Sequence, residues 1–101
     1  MKSELEFLTT LEGIIQQRLE TSSEQSYTAQ LVASGDTRVA QKLGEEAVEL
    51  ALAAATGNAS EQLEEAADLV FHLLVLLSTK GLSLGDVAEK LQQRHEAANS
   101  S

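Results

Sequence analysis

Apolar residues recur at spacings of three and four through most of the chain, and the points where that rhythm starts and stops divide it into helices. Leu5, Leu8, Leu11, Ile15 and Leu19 predict an amphipathic helix over residues 3–20, with Ser3 as its cap and Thr21, Ser22 and Ser23 as its end. A short helix is expected around Tyr27 to Ala33, within 24–35, with Gly35 at its stop and Asp36 as the cap of the next. That next helix runs over 36–56 and closes at Gly57. Asn58 and Glu61 read as a capping box opening a helix over 58–79, which Gly81 stops. Ser83 and Asp86 form a second such box, and a last helix runs to about His95, with 97–101 as a frayed tail.

Acids break this rhythm in one region. At about 100° per residue, with Val39 at zero, Leu43, Leu50, Ala47 and Ala54 fall within about 80° on one side of the 36–56 helix, and Glu46 lands inside that stripe. An acid in a core-facing stripe costs free energy unless it is paired, protonated or bound to a metal. Glu49 and Lys42 border the stripe, Arg38 lies just beyond, and Glu45 sits opposite, where a charge is simply solvated. On the 58–79 helix, Leu63, Ala67, Val70, Leu74 and Leu77 form the main stripe, while Glu61, Glu65, Asp68 and His72 share the opposite side. Yet Leu69 to Leu77 is apolar at every position except His72, so this helix is expected to be covered nearly all round. Its acidic side should therefore face a second protein surface, either another helix of the chain or a partner subunit.

Composition narrows the class. A chain of 101 residues makes one domain, placed at 1–96. With no proline, three aromatic residues and much Leu, Ala, Glu and Gln, the expected fold is all-α, four to five helices in an antiparallel bundle. So small a chain with acids inside its best helix pair has little apolar material to spare, and completion by dimerisation is expected. The absence of cysteine excludes disulfides and thiolate zinc sites, and Met1-Lys2-Ser3-Glu4 lacks the apolar core of a signal peptide. The longest apolar run is far short of the roughly twenty residues that span a bilayer. A cytoplasmic protein with no membrane partner is expected. The net charge of −9 argues against nucleic-acid binding, and an anionic ligand would need a divalent cation or a local basic cluster such as Arg38 and Lys42.

The candidate chemistry lies in two pairs of acids, Glu46 with Glu49 and Glu65 with Asp68, each three residues apart on one side of a helix. Taken alone, E-x-x-E more often marks a solvated face than a ligand set. Two pairs, one with Glu46 in an apolar stripe and one with Asp68 bordered by Leu69 and Val75, favour a metal. Carboxylate oxygens suit a hard cation, Mg²⁺ first and Mn²⁺ second. A di-iron carboxylate site wants E-x-x-H repeats, and neither helix has one. His72 is open between a ligand or supporting partner and a satisfied core residue. Lys42 is open between pairing with Glu45 or Glu46 and meeting a phosphate, and Tyr27 between packing and recognition.

Glu46-Ala47-Val48-Glu49, separated by fifteen residues from Glu65-Ala66-Ala67-Asp68, resembles the E-x-x-E, E-x-x-D signature of the all-α, MazG-type nucleotide pyrophosphatases. Within them, Ser26-Tyr27-Thr28-Ala29, the run Lys42 to Glu49, Glu65 to Leu77 and Gly81-Leu82-Ser83-Leu84 are similar to the phosphoribosyl-ATP pyrophosphatase family, over residues 5–95. The resemblance implies Mg²⁺-dependent hydrolysis of phosphoribosyl-ATP to phosphoribosyl-AMP and pyrophosphate, the second step of histidine biosynthesis. It implies Glu46, Glu49, Glu65 and Asp68 as metal ligands, Arg38 and Lys42 as phosphate contacts, and Tyr27 and Thr28 as contacts to the sugar or base. Which acid doubles as the base is not legible; Glu46 and Glu49 are the catalytic candidates, the outer Glu49 first. A cyclohydrolase domain is often fused ahead of this one in the family, and the chain looks like the stand-alone form. The alternatives are a pyrophosphatase for another nucleoside triphosphate and a non-catalytic acidic helical module.

Overall fold

The structure, a computed structural model, describes residues 3–21 and 26–99. Among them are five α-helices and no strand: α1 Glu6–Thr21, α2 Tyr27–Ala33, α3 Asp36–Thr56, α4 Ala59–Thr79 and α5 Leu84–Asn99. The fold is all-α, as the composition requires. Ser22 and Ser23, read as the stop of the first helix, lie outside the described residues. Among those residues no single helix is long and apolar enough to cross a membrane.

Local chemistry sets most of the boundaries. Ser3 Oγ accepts from the Glu6 amide at 3.2 Å, and Ser26 caps α2 by accepting from Ala29 N–H at 3.3 Å. Asn58 Oδ1 accepts from Glu61 N–H at 2.9 Å and opens α4, while Ser83 and Asp86 form both halves of a capping box at 3.0 and 3.1 Å. Gly81 adopts φ +70, and the bonds from Gly81 N–H to Ser78 O and from Leu82 N–H to Leu77 O close α4 as a Schellman motif. Two expectations are corrected. The cap of α3 is Gly35, at φ 107 with no side-chain bond, and the Asp36 carboxylate instead accepts from Lys80 Nζ at 2.7 Å, tying the start of α3 to the end of α4. Ala97 to Asn99 continue α5 rather than fraying from it.

Ile15, Leu31, Val39, Leu74 and Val75 form the core, with Leu11, Leu19, Val32, Val70, Phe71, Leu76 and Leu84 packed around it. Each fully buried aliphatic side chain contributes about 1.5–3 kcal/mol by leaving water. The stripe of α4 is buried only in its C-terminal half. Leu74 is sealed, but Leu63 is 72% exposed and Ala67 is exposed as well, because α3 packs against the neighbouring side that carries Glu65 and His72. On the acidic side of α4, Glu65 thus faces another helix of the same chain, while Glu61 and Asp68 stay exposed.

Helix α5 leaves α4 at 101° and contains no buried residue. It is attached at its first residue, where Leu84 packs on the core and its amide donates to Glu12 Oε2 of α1 at 2.7 Å. The remainder extends away, and the radius of gyration of 15.5 Å exceeds the roughly 13 Å of a compact chain of this length.

Candidate functional site

Helices α3 and α4 form a hairpin joined through Gly57 and Asn58, so the acids of one are held opposite those of the other. One carboxylate oxygen from each of Glu46, Glu49 and Glu65 lies within 4.8 Å of the others. Glu46, in the α3 stripe, is only 5% exposed; Glu65 is half-buried and Glu49 is exposed. The group is therefore graded from an enclosed inner wall to an open mouth. Asp68 stands apart: its side chain is exposed, it is not one of the converging three, and its main-chain carbonyl accepts from His72 Nδ1 at 2.7 Å.

Charge at this point is unbalanced. Lys42 Nζ lies 3.4 Å from Glu46 Oε1, but it also reaches Glu45 Oε1 at 4.0 Å, and Arg38 Nη1 is 3.8 Å from Glu45 Oε2. Lys42 is held more firmly protonated than an ordinary lysine, first by its hydrogen bond to Glu46 and then by the field of Tyr27, Glu46 and Glu45, against the opposing effect of desolvation. Glu46 Oε2 and Glu65 Oε2 are buried with no hydrogen-bond partner. Buried polar atoms are nearly always satisfied, so two orphaned carboxylate oxygens in one three-acid group mark a place with a donor or cation to accept. A set of three carboxylates with one shared ammonium fits a divalent hard cation in charge and in donor type.

Beside the group, Glu49, Leu52, Ala53, Thr56, Glu61 and Glu65 line a cleft of about 310 Å³. Glu61, which the sequence placed on the acidic side of the helix and in a capping box but not among the site residues, forms a wall of this cleft. Its amide does bond Asn58, but its carboxylate folds over Gly57, where a Cβ would meet Oε2 at 2.5 Å. The available signal was its position one turn before Glu65 on the same face.

The other candidates separate. Tyr27 opens α2, is half-exposed, and its hydroxyl bonds His72 Nε2 at 2.9 Å; Thr28 next to it is buried. His72 itself is buried and packs edge-on against the rings of both Tyr27 and Phe71. It is a satisfied core residue by its contacts, with one edge on the candidate site.

A family model described as phosphoribosyl-ATP pyrophosphohydrolase matches residues 8–95. The chain is 53% identical over 89 residues to the phosphoribosyl-ATP pyrophosphatase of Pyrobaculum islandicum, covering 88% of this chain and 95% of that one. It is 54% identical over 91 residues to the histidine biosynthesis bifunctional protein HisIE of Photobacterium profundum, covering 90% of this chain and 44% of that one. The HisIE of Vibrio parahaemolyticus is 47% identical over 95 residues, covering 94% of this chain and 45% of its own. The chain thus spans under half the length of the bifunctional relatives it matches. With the match running from α1 through both acidic helices into α5, the chain belongs to the phosphoribosyl-ATP pyrophosphohydrolase family.

Proposed function

We propose that the chain hydrolyses phosphoribosyl-ATP to phosphoribosyl-AMP and pyrophosphate, with Glu46, Glu49 and Glu65 holding a divalent cation and Asp68, one turn along α4, joining them. The observation that carries this is the convergence of the three acids within 4.8 Å with two buried oxygens left unpartnered. When bound there, Mg²⁺ or Mn²⁺ would neutralise charge on the triphosphate and on the departing pyrophosphate. The enclosed Glu46 and half-buried Glu65 form the fixed wall, since their oxygens already have little freedom. Glu49, at the open mouth, is placed to hold a water and take its proton as the water oxygen bonds the α-phosphorus and the bond from that phosphorus to the leaving pyrophosphate breaks. Lys42, kept protonated by Glu46, and Arg38, on the exposed edge of α3, meet phosphate oxygens by charge. Tyr27, half-exposed at the start of α2, meets the sugar or base, with the buried Thr28 beside it in the chain.

The test is pyrophosphate release from a panel of nucleotides with Mg²⁺. Release from phosphoribosyl-ATP, abolished by EDTA and restored by excess Mg²⁺, is the expected result. Equal or faster turnover of ordinary nucleoside triphosphates would overturn the substrate while leaving the reaction class.

The chain is also proposed to act as a homodimer. Its accessible surface of 7130 Å² exceeds the roughly 5,500 Å² of a compact monomer of this mass, and α5 contains no fully buried residue. Leu52, which lines the acidic cleft, and Leu63 on α4 are further exposed apolar side chains. Sedimentation at micromolar concentration should give a dimer or larger; a monomer contradicts it.

A further inference from the structure

His72 is buried and titratable, and hydrolysis at the acidic group does not use it. Its two ring nitrogens have different partners. Nδ1 lies 2.7 Å from the Asp68 carbonyl oxygen, and Nε2 lies 2.9 Å from the Tyr27 hydroxyl. A carbonyl oxygen has no proton to give, so the proton in the first contact belongs to Nδ1. In a neutral imidazole the other nitrogen is then an acceptor, and the Tyr27 hydroxyl must donate to it. The direction of both bonds follows from the carbonyl.

This has a consequence at the surface. Tyr27 is 50% exposed, and its single hydroxyl proton is directed inward to His72. What the phenol presents outward is lone pairs. An oxygen that offers only acceptor capacity pairs poorly with a phosphate oxygen, which is also an acceptor and carries charge. It pairs well with a neutral hydrogen-bond donor.

We propose that Tyr27 is a specificity contact that reads a neutral donor of the substrate, a sugar hydroxyl or the base amine, and that His72 is the positioning residue that makes it an acceptor. The proposal rests on the reading of the site as a nucleotide pyrophosphatase and adds to it a division of labour: Lys42 and Arg38 face the phosphates, while Tyr27 excludes them. A site that must bond a donor discriminates strongly against ligands lacking it, because its own acceptor is then left unmatched.

Two measurements test this independently. Long-range ¹⁵N–¹H correlation spectra of the wild-type protein at pH 8 should show His72 protonated at Nδ1 and bare at Nε2; a proton on Nε2 overturns the proposal whatever the enzyme does. In kinetics, Tyr27→Phe should raise KM for phosphoribosyl-ATP about tenfold with kcat within about twofold, the scale of one net hydrogen bond. Inorganic tripolyphosphate, which has no neutral donor, should inhibit Tyr27→Phe and wild type with the same Ki. An unchanged KM, or a Ki for tripolyphosphate that rises in step with KM, would show that Tyr27 does not read a donor. His72→Leu should reproduce the KM effect, and His72→Gln, whose amide oxygen accepts from the phenol, should recover most of it; a His72→Gln as impaired as His72→Leu, with both folded by circular dichroism, removes His72 from the role. Inhibition by ATP, its 2′- and 3′-deoxy forms and ITP separates sugar from base: the analogue indifferent to Tyr27→Phe is the one missing the donor. Failure of the wild type to turn over phosphoribosyl-ATP would overturn the functional reading and the substrate half of this one, while the proton direction stands or falls on the spectra.

Discussion

The two halves of α4 belong to one helix and do opposite work. From Leu69 to Thr79 every residue is buried or half-buried, and Leu74 and Val75 are sealed in the core. From Ala59 to Asp68 the same helix exposes Leu63 and Ala67 and turns Glu65 inward against Glu46. The first half stabilises the fold; the second gathers like charges, which costs free energy until a cation arrives. The difference teaches that stability and chemistry are segregated along the helix axis, with His72 at the boundary.

Substitution at the acidic end should have the largest effect, and mainly on activity. Glu46→Gln and Glu65→Gln are each expected to lower pyrophosphate release by about a hundredfold or more, since residues one shell beyond a metal ligand already cost 10- to 100-fold. Near-normal rates in either would remove that acid from the ligand set. At the core end the reverse holds: Leu74→Ala should cost about 3 kcal/mol and lower Tm by about 15 °C, read by thermal melting. A small loss there would mean that the core closes elsewhere. Between the two sits the metal itself. Mg²⁺ at a hundredfold excess over Kd should add roughly 2.7 kcal/mol of stability, on the order of 10 °C in Tm. Glu46→Gln should melt at or above wild type without metal and gain much less with it. Equal gains in both proteins would sink the idea that Glu46 faces the cation. The smallest effect is at the joint after the core half, where Gly81→Ala should cost about 1 kcal/mol, because φ +70 suits glycine and strains alanine; an unchanged melting curve would show that the turn relaxes.

Much of this was legible in the residues. Glu46 lies in an apolar stripe and is buried in the structure, and the helices fall where capping residues and glycines mark them. Leu63 was misread because its periodicity matches the core stripe, while burial depends on which face α3 covers. Asp36 was read as a cap because its neighbours suit one, yet its partner is Lys80, far along the chain. Glu12, capping α5 from α1, left no local trace at all.

The sequence by itself determined an all-α fold of four to five helices, most of their ends and the burial of one acid, because propensity, capping and helical phase act over spans of three or four residues. Only the tertiary structure decided that Glu65 joins Glu46 and Glu49 while Asp68 stays at the edge, that the Tyr27 hydroxyl meets His72 Nε2, and that α5 departs at 101°. Those outcomes depend on how helices distant in the chain cross, and a local pattern is compatible with many crossings.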